Sequence, residues 1–214
     1  MFLKKIYDKL AQGVELAGFT EPTELQKESF GTIKSGADCV LAMPDGGSKT
    51  TTIVINVIQK LQKAFEQSPR ALIVVQDKEK VQEMQEMFEV LGKYTNLRVY
   101  GVYDKSDIDE DKNQISVGID VLIGTPNKLN DMFGGAGFDV NQLKMFIVDD
   151  TEILLKNRLE PKISRISNSI AKVQRIFFTD VITERVEILA DRIMIEPYFF
   201  EFDDEQEEEA DENQ

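Results

Sequence analysis

The chain has 214 residues, 42% of them hydrophobic, with one cysteine (Cys39) and no histidine, enough to bury one core but excluding a disulfide framework, Cys or His metal clusters and His general-base chemistry. No apolar signal core opens the chain and no apolar run approaches the roughly 20 residues that span a bilayer, so a cytoplasmic protein with no membrane partner is expected. Of the formal charge of −14, nine acids lie in Glu201–Gln214 and about −5 remains on the body, which argues against strong non-specific nucleic-acid binding while leaving a local basic groove open.

Residues 4–17 read as a helix with Ile6, Leu10, Val14 and Ala17 on one face, closed by Gly18. In the following stretch Thr23 and Gln26 predict a capping box for a helix running through Ile33, with Phe19 stapling it to the core. Asp38 to Thr52 then reads as a short apolar strand around Val40 and Leu41, a glycine turn, and a helix carrying Ile53, Val54, Val57, Ile58 and Leu61 at helical spacing. This is the setting of the phosphate-binding loop G-x-x-x-x-G-K-[ST]. There, backbone N–H groups wrap the phosphates, the Lys reaches the β/γ-phosphates and the hydroxyl meets Mg²⁺. Lys49 and Thr50 are in place, but Met43 and Ser48 stand at the glycine positions and Asp45 lies inside the turn. An ordinary strand-to-helix turn that uses Gly46-Gly47 for its dihedrals is the alternative.

Ala71–Val75 predicts a second strand, followed by Gln76-Asp77-Lys78-Glu79. Gly101 and Gly124-Thr125-Pro126-Asn127-Lys128 come next, and Phe146-Ile147-Val148 forms a strand that ends in Asp149-Asp150-Thr151-Glu152. Gln174–Phe178 is a further strand, leading into Thr179-Asp180-Val181. Each segment alone also reads as a plain strand end and helix start, with the acids at 149–152 capping a helix through Ile153-Leu154-Leu155. Residues 183–190 predict a helix and 192–197 a last strand. The tail from 198 to 214 is too charged to fold alone. Strands alternating with helices predict one α/β domain over 1–197, a mainly parallel sheet with helices on both faces. Ligands of such sheets bind at the carboxyl ends of the strands, so the Lys49, Asp149 and Thr179 segments are expected to share one rim.

Taken together these segments resemble the N-terminal RecA-like domain of the DEAD-box ATP-dependent RNA helicases, over the whole body of the chain. Phe19-x-x-Pro22-Thr23-x-x-Gln26 matches that family's adenine-recognition motif, with Phe2 as its isolated upstream aromatic. Met43 to Thr50 is similar to its A-x-x-G-x-G-K-T loop, and Asp149-Asp150-Thr151-Glu152 stands at D-E-A-D. The resemblance implies ATP with Mg²⁺ as cofactor, held by Phe2, Phe19, Gln26, Gly46, Gly47, Ser48, Lys49 and Thr50, with Asp149 and Thr50 toward the metal. It implies Asp150 for orienting the attacking water, although Asp150 is one methylene shorter than the Glu it replaces. It also implies RNA contacts from Lys78, Gly101, Thr125 and Lys128, where Thr125 and Lys128 can donate to phosphates. Asp77 replaces a hydroxyl near RNA phosphate, and Asp180 replaces an Ala of S-A-T, where the ATP state is linked to RNA grip. Family hydrolysis also needs arginines from a second RecA-like domain, worth roughly 10³ to 10⁵ in rate, and the chain enters its acidic tail where the linker to that domain would begin.

Two functions follow as expectations. One is a degenerate nucleotide-binding and RNA-binding helicase-like domain without autonomous unwinding, its ATPase weak or dependent on a partner. The other is a non-catalytic pseudo-helicase that serves as a protein-interaction module. Either takes a protein partner or a second RecA-like domain in trans. The tail is expected to be a solubilising end or a flexible mimic that competes with RNA or binds a basic partner.

Overall fold

Strands such as Cys39–Ala42, Ala71–Val74 and Met145–Val148 are apolar at every position, without polar alternation, and so require cover on both faces. The computed structural model, which describes residues 5–19, 21–44 and 48–201, supplies that cover. In chain order the elements are α1 (Asp8–Leu16), α2 (Glu24–Ser35), β1 (Cys39–Ala42), α3 (Ser48–Leu61), β2 (Ala71–Val74), α4 (Lys78–Leu91), β3 (Val99–Val102) and α5 (Ile108–Val117). They continue as β4 (Val121–Gly124), α6 (Pro126–Gly134), β5 (Met145–Val148), α7 (Thr151–Lys156), α8 (Glu160–Ser169), β6 (Gln174–Thr179), α9 (Glu184–Ile193) and β7 (Tyr198–Phe200). The strands form one sheet in the order β3-β4-β2-β5-β6-β1-β7, and every pair is parallel.

The period-two alternation of strand side chains divides the core in two. Leu41, Ile73, Ile123, Ile147 and Phe178 pack with α1 to α4 on one face, while Val40, Leu72, Leu122, Phe146 and Phe177 pack with α5 to α9 on the other. Because all strands run the same way, the starts of α3, α4, α6 and α7 and the loop after β6 gather at a single carboxyl rim. The expected sharing of one rim is met.

Helix starts and stops follow local chemistry. The capping box of α2 is present, with Thr23 Oγ1 accepting from Gln26 N–H and Gln26 Oε1 accepting from Thr23 N–H. After α1, Gly18 takes φ +79°, and the Gly18 and Phe19 N–H groups bond to the carbonyls of Glu15 and Val14, a Schellman closure. Three expectations are corrected. Helix α1 starts at Asp8, later than residue 4. Phe19 does not staple α2 to the core; its side chain stays 42% exposed. The last strand is not 192–197, since Arg192 and Ile193 end α9 and β7 begins after Pro197. Asp38 explains that shift: its carboxylate accepts from Ile195 N–H and Arg175 N–H, and its carbonyl from Tyr198 N–H, which sets β7 beside β1. The sheet thus includes three residues that the sequence reading gave to the tail.

Candidate functional site

One half of the carboxyl rim is built by β1, β6 and β5, which are neighbours in the sheet. Lys49, in the first turn of α3, extends its Nζ to Asp150 Oδ1 at 2.6 Å and makes a second ion pair with Asp180, which follows β6. Lys49 and Asp150 are buried, and the Asp180 side chain is 30% exposed. Burial alone would lower the pKa of Lys49, but the hydrogen bonds to Asp150 and Asp180 outweigh it and hold the ammonium above its usual range. Thr50 Oγ1 donates to Glu83 Oε1 of α4 at 2.7 Å. Burial opposes ionisation of Glu83, yet the bonds from Thr50 and Lys80 hold it below the usual carboxylate range.

Asp149 and Asp150 follow β5. Asp150 sits in the left-handed region at φ +46° and makes no capping bond to α7, so the acids do not cap this helix as a plain N-cap would. Its N–H bonds instead to Asp149 Oδ1 at 3.0 Å. Asp149 Oδ2 is buried with no hydrogen-bond partner among the described residues. Burial, and then the neighbouring Asp150 carboxylate, push the Asp149 pKa up to about 7. Carboxylate oxygens of Asp150, Glu152 and Asp180 lie within 4.8 Å of one another. The Lys49 ammonium bonds two of these acids, and the third, Glu152, bonds the Thr179 hydroxyl. Gln26 belongs to the same half, with Nε2 donating to Thr52 Oγ1 at 2.8 Å and Thr52 Oγ1 donating to the Ser48 carbonyl at 2.6 Å. Phe2, Gly46 and Gly47 lie outside the described residues, as does Asp45.

The other half of the rim is built by β2, β4 and β3. Thr125 and Lys128, the two residues expected to donate to RNA phosphates, here give donors to the chain itself. Thr125 Oγ1 donates to Asp104 Oδ1 at 2.6 Å, and Lys128, only 5% exposed, bonds the Ser106 carbonyl at 2.6 Å and Asp111 Oδ2 at 2.9 Å. Gly101 sits within β3 beneath α4, where a Cβ would come 2.4 Å from Val81 Cγ1. Close helix packing therefore requires the glycine. Lys78 is exposed, its ammonium 5.1 Å from the centre of the Tyr103 ring. Asp77 is the N-cap of α4, accepting from Lys80 N–H at 2.9 Å.

Sequence reasoning missed Glu83, Thr52, Asp104 and Asp111. Their distant partners, Thr50, Gln26, Thr125 and Lys128, lie 33, 26, 21 and 17 positions away in the chain, and no local pattern announces such pairs. Asp77 and Asp107, each an aspartate just before a helix, did carry a readable capping signal.

A seven-stranded parallel sheet clad by helices, with a Lys-Thr helix start and an acidic strand end side by side at its carboxyl rim, defines a RecA-like domain. The DEAD/DEAH box helicase family model matches residues 23–188, and the chain belongs to that family. It is 24% identical over 194 residues to eukaryotic initiation factor 4A of Caenorhabditis elegans, covering 90% of this chain and 48% of that protein. It is 29% identical over 147 residues to the ATP-dependent RNA helicase eIF4A of Emericella nidulans, covering 69% of this chain and 37% of that protein. The crystal structure of a DEAD box protein from the hyperthermophile Methanococcus jannaschii superposes with a TM-score of 0.85 at 20% identity, over 92% of this chain and 54% of that one. The chain thus spans about half the length, or less, of these relatives. Among the described residues no helix is long and apolar enough to cross a membrane.

The family implies ATP and Mg²⁺. The orphaned Asp149 Oδ2 has the chemistry to accept from a metal-bound water. Lys49, however, already gives two of its three N–H donors to Asp150 and Asp180, so a triphosphate would compete with both carboxylates for it, whereas Thr50, which donates its hydrogen to Glu83, keeps its oxygen lone pairs for a metal.

Proposed function

We propose that this chain is a non-catalytic DEAD-box-type module, a pseudo-helicase that acts in the cytoplasm through a protein partner or a second RecA-like domain in trans and does not unwind RNA by itself. The observation that carries this reading is the Lys49 ammonium held between Asp150 and Asp180. A terminal phosphate would have to compete with both carboxylates for the Lys49 ammonium, two of whose three N–H donors they hold, and would lie beside them. At about 4 Å each such like-charge pair costs roughly 1 to 4 kcal/mol between water and a near-surface dielectric. Asp150, tied to Lys49 and shorter than Glu, is also held away from the work of orienting a water, where a 1 Å misplacement costs about 10²-fold.

Calorimetric titration with ATP and Mg²⁺ tests this. The native chain is expected to show no saturable heat, while Asp180→Ala, which leaves Lys49 with a single carboxylate, gains measurable affinity. Tight binding by the native chain, lost in Lys49→Ala, would overturn the reading.

A second reading, a weak nucleotide-binding domain whose ATPase depends on a partner, draws on the intact Gln26-Thr52-Ser48 chain and on the Glu152-Thr179 contact at the coupling position. It predicts ATP binding that is lost in both Lys49→Ala and Gln26→Ala, so the same titration separates the two.

A further inference from the structure

The β2-β4-β3 half of the rim presents the starts of three helices, α4, α5 and α6. A helix N-terminus carries free N–H groups and a positive dipole end, which together favour a phosphate. Here each one already holds an aspartate of the chain itself. Asp77 accepts from Lys80 N–H on α4, and Asp107 accepts from Asp109 and Glu110 N–H on α5. At α6, Asp104 takes the Thr125 hydroxyl with one oxygen and the Asn127 amide with the other, at 2.6 and 3.0 Å. The α6 start is the best-equipped phosphate seat of the three, combining hydroxyl, amide and backbone donors, and it is filled.

The cation of this half is sequestered as well. Asp111 is 3% exposed and fully bonded, receiving the Tyr100 hydroxyl at 3.0 Å, the Ser106 hydroxyl at 2.6 Å and the Lys128 ammonium at 2.9 Å. Lys128 therefore points inward. The exposed and half-buried cations here, Lys78, Lys80, Lys105 and Lys162, the last bonded to Asn127, are outnumbered by Asp77, Glu79, Asp104, Asp107, Asp109 and Glu110. Affinity for a nucleic-acid backbone comes mainly from cations that neutralise phosphates, and this face presents the opposite balance.

We infer that the β2-β4-β3 half of the rim is closed to nucleic acid by the chain's own aspartates, with Asp104 and Asp111 occupying the donors that a bound strand's phosphates would use. Asp104 and Asp111 are the specificity-determining residues of this face. The inference does not rest on the nucleotide site, because neither residue bonds to Lys49 or Thr50.

The test is fluorescence anisotropy of a labelled single-stranded RNA at low salt without nucleotide, using the full chain. Compared are the native protein, Asp104→Ala, the double variant Asp104→Asn with Asp111→Asn, and that double variant carrying Lys128→Ala. The native chain is expected to give no saturable binding. Asp104→Ala and the double variant are each expected to give saturable binding that the native chain lacks, tighter in the double variant by at least about fivefold, and Lys128→Ala is expected to reverse the double variant's gain over Asp104→Ala. Saturable binding by the native chain would overturn the inference, as would folded variants that bind no better than the native chain. Asp104→Ala changes only an exposed side chain, so it carries the test if circular dichroism shows the double variant unfolded. With no nucleotide present, the outcome leaves the reading of the ATP site untouched.

Discussion

Both halves of the carboxyl rim carry acids but resolve them differently. Around β2, β4 and β3 the acids are satisfied: Asp111 has three donors and Asp104 has both oxygens engaged. Around β5, β6 and β1 they are in excess. Lys49 is shared by two carboxylates, Asp149 keeps an oxygen with no partner among the described residues, and Asp150 is held in a left-handed conformation. Unsatisfied buried charge and backbone strain persist only where the surroundings force them, and they concentrate at functional sites. The contrast teaches that one rim can hold a face turned to structural use beside a face that keeps the electrostatic tension of a ligand site.

That contrast can be broken by mutation, with the largest effect on the satisfied side. Asp111→Ala leaves the buried Lys128 ammonium without its counter-charge, and losing one partner of a buried pair costs about 3 to 5 kcal/mol. A large drop in thermal midpoint is the expected result. A drop no greater than that of an ordinary surface substitution would mean that this half is not structural.

On the strained side the sign reverses. The Asp149 pKa of about 7 in the folded chain lies above the ordinary carboxylate value of about 4, so the folded state binds this proton more tightly than the unfolded state does. Ionising Asp149 therefore lowers stability progressively as pH rises from about 4 to about 7, and the full cost stands above that window. Asp149→Asn is expected to stabilise the protein at pH 8 by on the order of 2 kcal/mol, to change little at pH 4, and to flatten the slope between. Denaturant melts at the two pH values check this. Destabilisation at pH 8 would contradict it.

Smaller effects sharpen the picture. Asp77→Ala removes the N-cap of α4 and should cost about 1 kcal/mol in urea unfolding. Asp180→Ala should change stability by less than about 1 kcal/mol, as Lys49 retains Asp150 and Asp180 is partly solvated. A loss as large as that of Asp111→Ala would erase the distinction between the halves.

Much of the fold was legible because it is local. Unbroken apolar runs at 39–42, 71–74 and 145–148, alternating with helical patterns, read as strands buried on both faces. Thr23 with Gln26 specified the α2 start, and Gly18 the end of α1, through bonds that span a few residues. The identities of Lys49, Thr50, Gln26 and Asp149 were likewise readable from motif spacing. Only the tertiary structure decided what those side chains bond to. The register of β7 depends on Asp38 reaching residues 137 to 160 positions away, across the crossovers that order the sheet. The pairings of Lys49 with Asp180, Thr50 with Glu83 and Lys128 with Asp111 likewise join residues that only adjacent strand ends bring within bonding distance. A motif fixes which donors are present; the packing of the sheet fixes which acceptors reach them first.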